Sequence, residues 1–338
     1  MRRLFSYYRQ FDELSPEEIS EELRSRRVPV VADRELDLSG SSWYAPPHPE
    51  IVNAATFALR RAVNAYPDAS ALRSALARVH GVDFERVVIG HGAGELLRAC
   101  LRAVAQRDVL VAWPGWGPLP GLVREAGARP VAVTLEDLFG HRQPPVTTVI
   151  TRPGDPTGAV VGLAELREWA AALAPDAWLV LDEALAGFLP DGEDGLIEHP
   201  RVIHVRSFSK DHAMAGFRIG YAIIPAGGPD IAPVLGVGAP ALAGALWAVE
   251  HGSPLVLARR AHAATERERL TAALPSFAVS PGHGPFVWLA GPPHLAEALA
   301  SQRVFVAPGT AWGDDAHVRV TLRDAASTDR LIEALRVV

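Results

Sequence analysis

Short apolar runs alternate with helical patterns between residues 86 and 224, and this rhythm limits the possible fold more than any other feature of the chain. Seven runs have strand-forming composition, at 86–89, 109–112, 131–133, 147–150, 177–181, 202–205 and 221–224. Nearly continuous apolar strands are typical of a sheet that is covered on both faces. The sequence therefore predicts an α/β fold with a mostly parallel seven-stranded sheet and with functional residues on loops at the strand ends.

The chain is long enough for one large domain and a smaller one. Residues 45–230 contain the strand-and-helix rhythm and are predicted to form the large domain. Residues 1–44 and 231–338 show fewer strand patterns and are predicted to form a smaller α/β domain from both termini. Ser15, Pro16 and Glu18 have the spacing of a helix cap and predict a helix near the N-terminus.

The composition, with 49% hydrophobic and 21% charged residues among 338, is that of a globular protein rather than a disordered chain. A net charge of −6, without a run rich in Lys and Arg, argues against nucleic acid as a partner. Cys100 is the only cysteine, so no intramolecular disulfide can form. We expect it to be a core residue in a cytoplasmic protein.

The N-terminal residues lack the apolar core of a secretion signal, so none is expected. Residues 231–249 are uncharged and mostly apolar, but Pro233 and Pro240 interrupt them. We interpret this stretch as a buried interdomain or subunit-interface segment and expect no membrane association.

Residues 207–220 carry one lysine, two hydroxyl groups ahead of it, and an arginine eight residues after it. An amine can hold an aldehyde as an imine, while hydroxyl and guanidinium groups can hold a phosphate. The segment therefore predicts a cofactor anchor at Lys210, assisted by Ser207, Ser209 and Arg218.

This segment resembles the active-site lysine segment of the aminotransferase class I/II family, the pyridoxal-phosphate (PLP) enzymes of fold type I. The family pattern is roughly S-x-S-K-x5-G-x-R-x-G, and it is matched by Ser207, Ser209, Lys210, Gly216, Arg218 and Gly220. The resemblance covers nearly the whole chain and is strongest to the histidinol-phosphate aminotransferase and threonine-phosphate decarboxylase group. It implies PLP as the cofactor, no metal ion, amino acid and keto acid substrates, and a homodimer.

The resemblance also assigns residues that hold the cofactor phosphate. Gly92, Ala93 and Gly94 follow a predicted strand and precede a helical pattern, where backbone amides can bind a phosphate. Ala93 stands where relatives often have a hydroxyl residue. Tyr66 resembles the tyrosine that reaches the phosphate of the neighbouring subunit in dimeric relatives.

Other matches concern the cofactor ring. Asp182 ends an apolar strand and resembles the aspartate that pairs with the protonated pyridine nitrogen, although a solvated carboxylate at a strand end is the alternative. Trp116 falls where relatives place an aromatic residue against the ring, and Trp113 is the second candidate. Both tryptophans could instead be packing residues.

For the substrate, Arg319 matches the arginine that binds the α-carboxylate, a role suited to its planar guanidinium. Trp43 and Tyr44 lie in the segment with which relatives contact the substrate side chain. They could form an aromatic wall or pack in an interface.

Two positions depart from the family. Asp155 stands where relatives have the second Asn of N-P-x-N-P-T-G, and Leu185 replaces a Tyr, so both usual donors to the phenolic oxygen of PLP are replaced. A carboxylate in this place favours a protonated imine at Lys210, whose pKa we expect to be raised. Asp155 could also be protonated and act as the missing donor, or be turned away.

The leading functional hypothesis is a PLP-dependent aminotransferase of a specialised biosynthetic pathway, with Lys210 and Asp182 as catalytic residues. The replaced contacts at the phenolic oxygen also allow decarboxylation, elimination, cyclisation or oxidation on the same scaffold. A non-catalytic PLP-binding regulator is a weaker alternative, because the sequence offers no DNA-binding domain.

Overall fold

The computed structural model describes residues 35–62, 64–140, 146–231 and 236–338, and a seven-stranded sheet lies at its centre. A two-residue strand, β1 (Leu36–Asp37), precedes the sheet in the chain. The strands of the sheet are β2 (Val87–Gly90), β3 (Asp108–Ala112), β4 (Arg129–Val133), β5 (Thr147–Thr151), β6 (Leu179–Glu183), β7 (Val202–Ser207) and β8 (Gly220–Ile223). Their order is β2-β8-β7-β6-β5-β3-β4, with β8 antiparallel to both neighbours and the other pairs parallel. The predicted α/β class and mostly parallel seven-stranded sheet are confirmed.

Helices connect the strands and continue to the C-terminus of the chain. They are α1 (Pro49–Ala62), α2 (Ser70–His80), α3 (Ala93–Val104), α4 (Leu119–Glu125), α5 (Leu135–Gly140), α6 (Leu163–Ala171), α7 (Ala239–His251), α8 (Ser253–Ala273), α9 (Leu295–Ser301) and α10 (Ala325–Leu335). Short 3₁₀ turns occur at Phe84–Arg86, Ala186–Phe188, Ala215–Phe217 and Gly309–Trp312.

The alternation of side chains along β6 shows how both faces of the sheet are covered. Val180 belongs to the hydrophobic cluster that contains Leu97 of α3, whereas Leu179 and Leu181 belong to the cluster that contains Leu166 of α6. The first cluster also holds Cys100, whose thiol is free and fully buried, as predicted for a core residue. Burial raises the pKa of this thiol to about 12.

A second, antiparallel sheet follows the first in the chain. It contains β9 (Ala278–Val279), β10 (Phe286–Ala290), β12 (Ala307–Pro308) and β13 (His317–Thr321), in the order β12-β13-β10-β9. The remaining short strand is β11 (Val304–Phe305). The N–H of Leu38 donates to the Phe305 carbonyl at 2.7 Å, and the Leu38 carbonyl accepts from the N–H of Thr321 at 2.9 Å. These bonds place residues 38–41 beside β13.

Residues 37–338 form one compact unit, so the boundaries proposed at 44/45 and 230/231 stay predictions. The helix predicted near Ser15 lies outside the described residues. No single helix in the described part of the chain has the length and apolar character of a membrane span. The pair α7 and α8, bent by 79°, passes that test only when joined.

A buried ion network ties the end of β6 to the neighbouring β5 and β7. The Glu183 carboxylate is fully buried and accepts hydrogen bonds from Arg152 (3.2 Å), Arg206 (2.9 Å) and His204 (3.1 Å). Burial alone raises the pKa of Glu183, but Arg206 and His204 outweigh that effect and hold the pKa well below its ordinary range. Arg152 also pairs with Glu193 at 2.8 Å. The network therefore holds the first residue after β5 against the last residue of β6.

Replacing Arg152 with methionine tests how much this network stabilises the fold. The substitution leaves Glu183 with one cationic contact fewer in a buried place, so we expect the free energy of unfolding to fall by about 3 kcal/mol or more. The measurement is urea unfolding followed by tryptophan fluorescence. Arg98→Met, which breaks the half-exposed pair with Glu125, is the matched control and should cost less than about 1 kcal/mol. Equal small losses in both variants would contradict a stabilising role for the buried network.

Candidate active site

A cavity of about 210 Å³ lies where β5, β6 and β7 end and α3 begins. Nine of its lining residues are site residues predicted from the sequence: Ala93, Gly94, Trp116, Asp155, Asp182, Ser207, Ser209, Lys210 and Arg218. The remaining lining residues are Ser41, Ser42, Leu97, Thr151, Ala184, Leu185 and Ala215. The structure thus brings together residues that are spread over more than half of the chain.

The register of the parallel strands explains why these groups meet. Thr151 of β5 lies opposite Asp182 of β6, and β7 ends at Ser207 on the other side of β6. The carboxyl ends of parallel strands share one edge of a sheet, and loops at that edge form the usual ligand crevice of such folds. Because side chains alternate, Asp182 faces the cavity while Glu183 faces the ion network.

Lys210 is the only lysine in the 338 residues, a fact that the strand and motif patterns alone do not show. Its Nζ donates a hydrogen bond to Ser41 Oγ at 2.7 Å. Burial lowers the pKa of the Lys210 amine, Arg319 and Arg218 lower it further, and Asp155 and Asp182 oppose the shift. A lowered pKa increases the fraction of neutral amine, the form that attacks an aldehyde.

Asp182 is a buried carboxylate at the floor of the cavity, 3% exposed. Its Oδ1 accepts a hydrogen bond from the Ala184 N–H at 3.1 Å. Burial raises the pKa of Asp182 to about 6, and the nearby Asp155 and Glu183 add to the rise. A carboxylate in this state gains most from a cationic ligand, which fits the protonated pyridine nitrogen of PLP.

The turn before α3 has the shape of an anion-binding loop. Gly92 has φ of +90°, and a Cβ atom there would lie 3.1 Å from Nη2 of Arg218. A Cβ atom on Gly220 would lie 3.1 Å from the backbone nitrogen of Ala93. The two glycines therefore allow β8 and Arg218 to approach the first amides of α3. Backbone amides at a helix N-terminus beside a guanidinium group fit a phosphate.

The hydroxyl residues and the aromatic candidate lie around this loop. The N–H of Ser209 donates to Ser207 Oγ at 3.0 Å, which orders the turn ahead of Lys210. Trp116 lines the cavity, and a Cβ atom on Gly94 would lie 3.1 Å from its ring. Trp113 instead donates to the Trp312 carbonyl at 3.0 Å and is not a lining residue. The structure brings Trp116, rather than Trp113, to the cavity.

Asp155, which departs from the family pattern, and Arg319, which is predicted to bind the substrate carboxylate, are in direct contact. Nη1 of Arg319 donates to Oδ1 of Asp155 at 2.6 Å, and both side chains are 10% exposed. Leu185, at the other departure from the family, is buried in the cavity wall. The effect of Asp155 on the pKa of an imine at Lys210 stays a prediction.

Five predicted site residues are not lining residues of the cavity: Gly92 and Arg319, described above, and Tyr66, Trp43 and Tyr44. Tyr66 is fully exposed in the turn between α1 and α2. Trp43 and Tyr44 are in contact with each other, with ring centroids 5.0 Å apart, and both lie about 6 Å from the ring of His262. Their proposed contact with substrate stays a prediction.

Sequence reasoning missed Ser41 as the hydrogen-bond partner of Lys210 and Thr151 as part of the cavity wall. Thr151 could have been predicted, because it is the last residue of a strand that ends at the edge of the sheet where functional residues were expected. Ser41 begins the segment that was expected to contact the substrate, but its contact with Lys210 could not be predicted because the two residues are 169 positions apart. A second cavity, of about 280 Å³, shares only Ser207 with the nominated residues.

The comparison with protein families agrees with this geometry. The model of the aminotransferase class I and II family matches residues 35–335. An aromatic amino acid aminotransferase of Mycobacteroides abscessus is 33% identical in a match that covers 89% of this chain and 92% of that protein. An aromatic amino acid aminotransferase of Corynebacterium jeikeium is also 33% identical and covers 84% of this chain and 83% of its own length.

Solved structures show the same fold. An N-succinyldiaminopimelate aminotransferase from Mycobacterium tuberculosis has a TM-score of 0.78 and 26% identity, covering 90% of this chain and 93% of that chain. A provisionally assigned histidinol-phosphate aminotransferase from Erwinia carotovora atroseptica has the same TM-score with 21% identity, covering 90% and 96%, and this likeness concerns the fold.

The family predicted from the lysine segment, its fold and its cofactor are confirmed by these matches. The chain belongs to the aminotransferase class I and II family and is a PLP-dependent transferase.

Proposed function

We propose that this aminotransferase binds PLP in the cavity around Lys210 and exchanges amino groups between a donor with an aromatic side chain and a keto acid. The observation that carries the proposal is the meeting, in one cavity, of the only lysine with the buried Asp182 and with the N-terminus of α3. The aromatic side chain is supported by the two relatives with 33% identity, both named as aromatic amino acid aminotransferases.

Each end of the cavity suits one end of the cofactor. The amides of Ala93 and Gly94, the hydroxyl groups of Ser207 and Ser209, and the Arg218 guanidinium would hold the phosphate. At the other end, Asp182 would pair with the pyridine nitrogen, and Trp116 would lie against the ring. Bound in this way, PLP supplies an aldehyde for the donor amine and a ring that withdraws electrons from the neighbouring carbon.

Lys210 would first hold the cofactor and then move a proton. Its Nζ, whose pKa is lowered by burial, would accept the proton from the amine-bearing carbon of the donor and deliver it to the former aldehyde carbon of the cofactor, on the other side of the nitrogen. Ser41 orients Nζ through its hydrogen bond.

We further propose that the chain acts as a homodimer in which Tyr66 reaches the phosphate of the partner subunit. Tyr66 has no burial in its own chain, and α1 beside it exposes the apolar side chains of Phe57 and Leu59. Large apolar side chains on one exposed helix are a common feature of subunit interfaces. A cytoplasmic location fits the single unpaired cysteine.

The first test concerns Lys210. Reduction of the PLP-loaded protein with borohydride should attach one pyridoxyl phosphate group, carried by the peptide that contains Lys210. Lys210→Ala should lower amino transfer from L-phenylalanine to 2-oxoglutarate by about 10³-fold or more, because both the anchor and the proton carrier are lost. His212→Ala, two residues further on, is the control and should retain activity. Absence of a label, or a label only on the N-terminal amine, would contradict the proposal.

The second test concerns Asp182 in the cofactor-free protein. Because the folded state binds the Asp182 proton more tightly than the unfolded chain, the free energy of unfolding should fall as pH rises from 3.8 to about 6. At pH 7 the Asp182→Asn variant should therefore be more stable than wild type by about 1–3 kcal/mol and lose this slope. Denaturant titrations at several pH values measure the effect. The control is Asp315→Asn, at an exposed position, and identical pH profiles in all three proteins would refute the assignment.

The third test concerns the shared site. Lys210→Ala and Tyr66→Ala protomers, each weakly active at limiting PLP, should recover about a quarter of wild-type activity when they are mixed and allowed to exchange subunits. Half of the dimers are then mixed, and each has one site with both native residues. Activity that stays at the sum of the two variants, or a fully active monomer in sedimentation, would contradict the dimer proposal.

A further inference from the structure

Arg319 belongs to the four-stranded antiparallel sheet and packs against aromatic rings. It lies on β13, opposite Trp288 of β10, and its guanidinium carbon is 5.1 Å from the ring centre of Trp312 and 5.5 Å from that of Phe286. Nη2 donates to the Ser39 carbonyl at 2.9 Å. This packing and this hydrogen bond leave only the remaining N–H groups of the guanidinium group available for a ligand.

Asp155 accepts a hydrogen bond from one of the N–H groups of Arg319. Its Oδ1 accepts from Nη1 at 2.6 Å, so the charge of Arg319 is already neutralised within the chain. Nε of Arg319 is buried and has no hydrogen-bond partner among the described residues. The fork that would bind a second carboxylate in a bidentate manner is therefore partly occupied.

Asp155 and Arg319 also differ in their position relative to the cavity. Asp155 is a lining residue of the cavity, whereas Arg319 is not. A ligand near Lys210 is therefore exposed to the Asp155 carboxylate, whereas the guanidinium group of Arg319 lies outside the lining. A ligand carboxylate arriving there would meet the acidic partner of an ion pair instead of a free guanidinium group, which disfavours its binding.

We propose that Asp155 is an internal ligand of Arg319 that lowers the affinity of the site for carboxylates. The site would thereby accept primary amines with an uncharged group on the reacting carbon, in addition to amino acids. This inference rests on the proposed function, because it presupposes that the ligand amine is presented to Lys210. It makes Asp155 the residue that sets the preference between amino acids and amines without a carboxylate.

The inference is tested by the binding of two unreactive ligands to the PLP-loaded protein. The ligands are 3-phenylpropionate and its neutral amide, 3-phenylpropanamide, and calorimetry measures their dissociation constants. Asp155→Asn keeps the size of the side chain but removes its charge, so it should bind the acid about tenfold or more tightly than wild type. Its affinity for the amide should stay within about twofold.

Two controls separate this effect from other causes. Asp108→Asn, which removes a surface carboxylate paired with Arg129, should change neither dissociation constant. Adding Arg319→Gln to Asp155→Asn should abolish the gain in acid binding. The inference is overturned if the acid binds equally to wild type and Asp155→Asn, if both ligands gain equally, or if the gain persists without Arg319.

Activity measurements keep the two proposals distinguishable. If L-phenylalanine fails as an amino donor while 2-phenylethylamine reacts and Asp155→Asn still gains affinity for the acid, the proposal of an aromatic amino acid donor is wrong and the inference about Asp155 stands; if both donors fail, the predicted acceptance of amines is wrong as well. If L-phenylalanine is an efficient donor but Asp155→Asn binds the acid no more tightly, the proposed function stands and the inference is wrong. In the expected outcome, Asp155→Asn shifts the ratio of kcat/KM values toward L-phenylalanine by about tenfold.

Discussion

The site depends on two consecutive carboxylates at the end of β6, Asp182 and Glu183, whose side chains point to opposite faces of the sheet. Asp182 faces the cavity, and Glu183 faces Arg152 and the residues of β7 on the opposite side of the sheet. The buried ion network around Glu183 holds the strand end and also the start of the loop after β5. That loop carries Asp155, so the placement of a cavity carboxylate depends on charges that lie outside the cavity.

Electrostatics inside the cavity then follow from burial. Burial raises the pKa of Asp182 and lowers that of Lys210, so both groups move toward their neutral forms in the absence of ligands. A cofactor with a cationic nitrogen and a phosphate suits such a site, because Asp182 and Arg218 both line the cavity. Arg319, in contrast, does not line the cavity and is already paired with Asp155.

Much of the site could be predicted because its residues lie within short segments of characteristic chemistry. Lys210 and Arg218 are eight residues apart in one motif, and Asp182 ends a recognisable apolar strand. The contact between Asp155 and Arg319 could not be predicted, although both residues were singled out, because they are 164 residues apart. Ser41 was hidden for the same reason. Strand positions were predictable because seven apolar runs, each separated from the next by polar residues, have few other ways to be buried.

The sequence by itself determined the class of fold, the family, and the lysine that we propose as the anchor of the cofactor. These properties depend on local periodicity and on residue types at short spacing, which the chain displays whatever its tertiary arrangement. Only the tertiary structure decided that Asp182 and Glu183 have opposite surroundings, and that Asp155 rather than solvent neutralises Arg319. The physical reason is that burial and charge pairing arise from contacts between distant segments, and the strength of those contacts depends on the low-dielectric interior that folding creates.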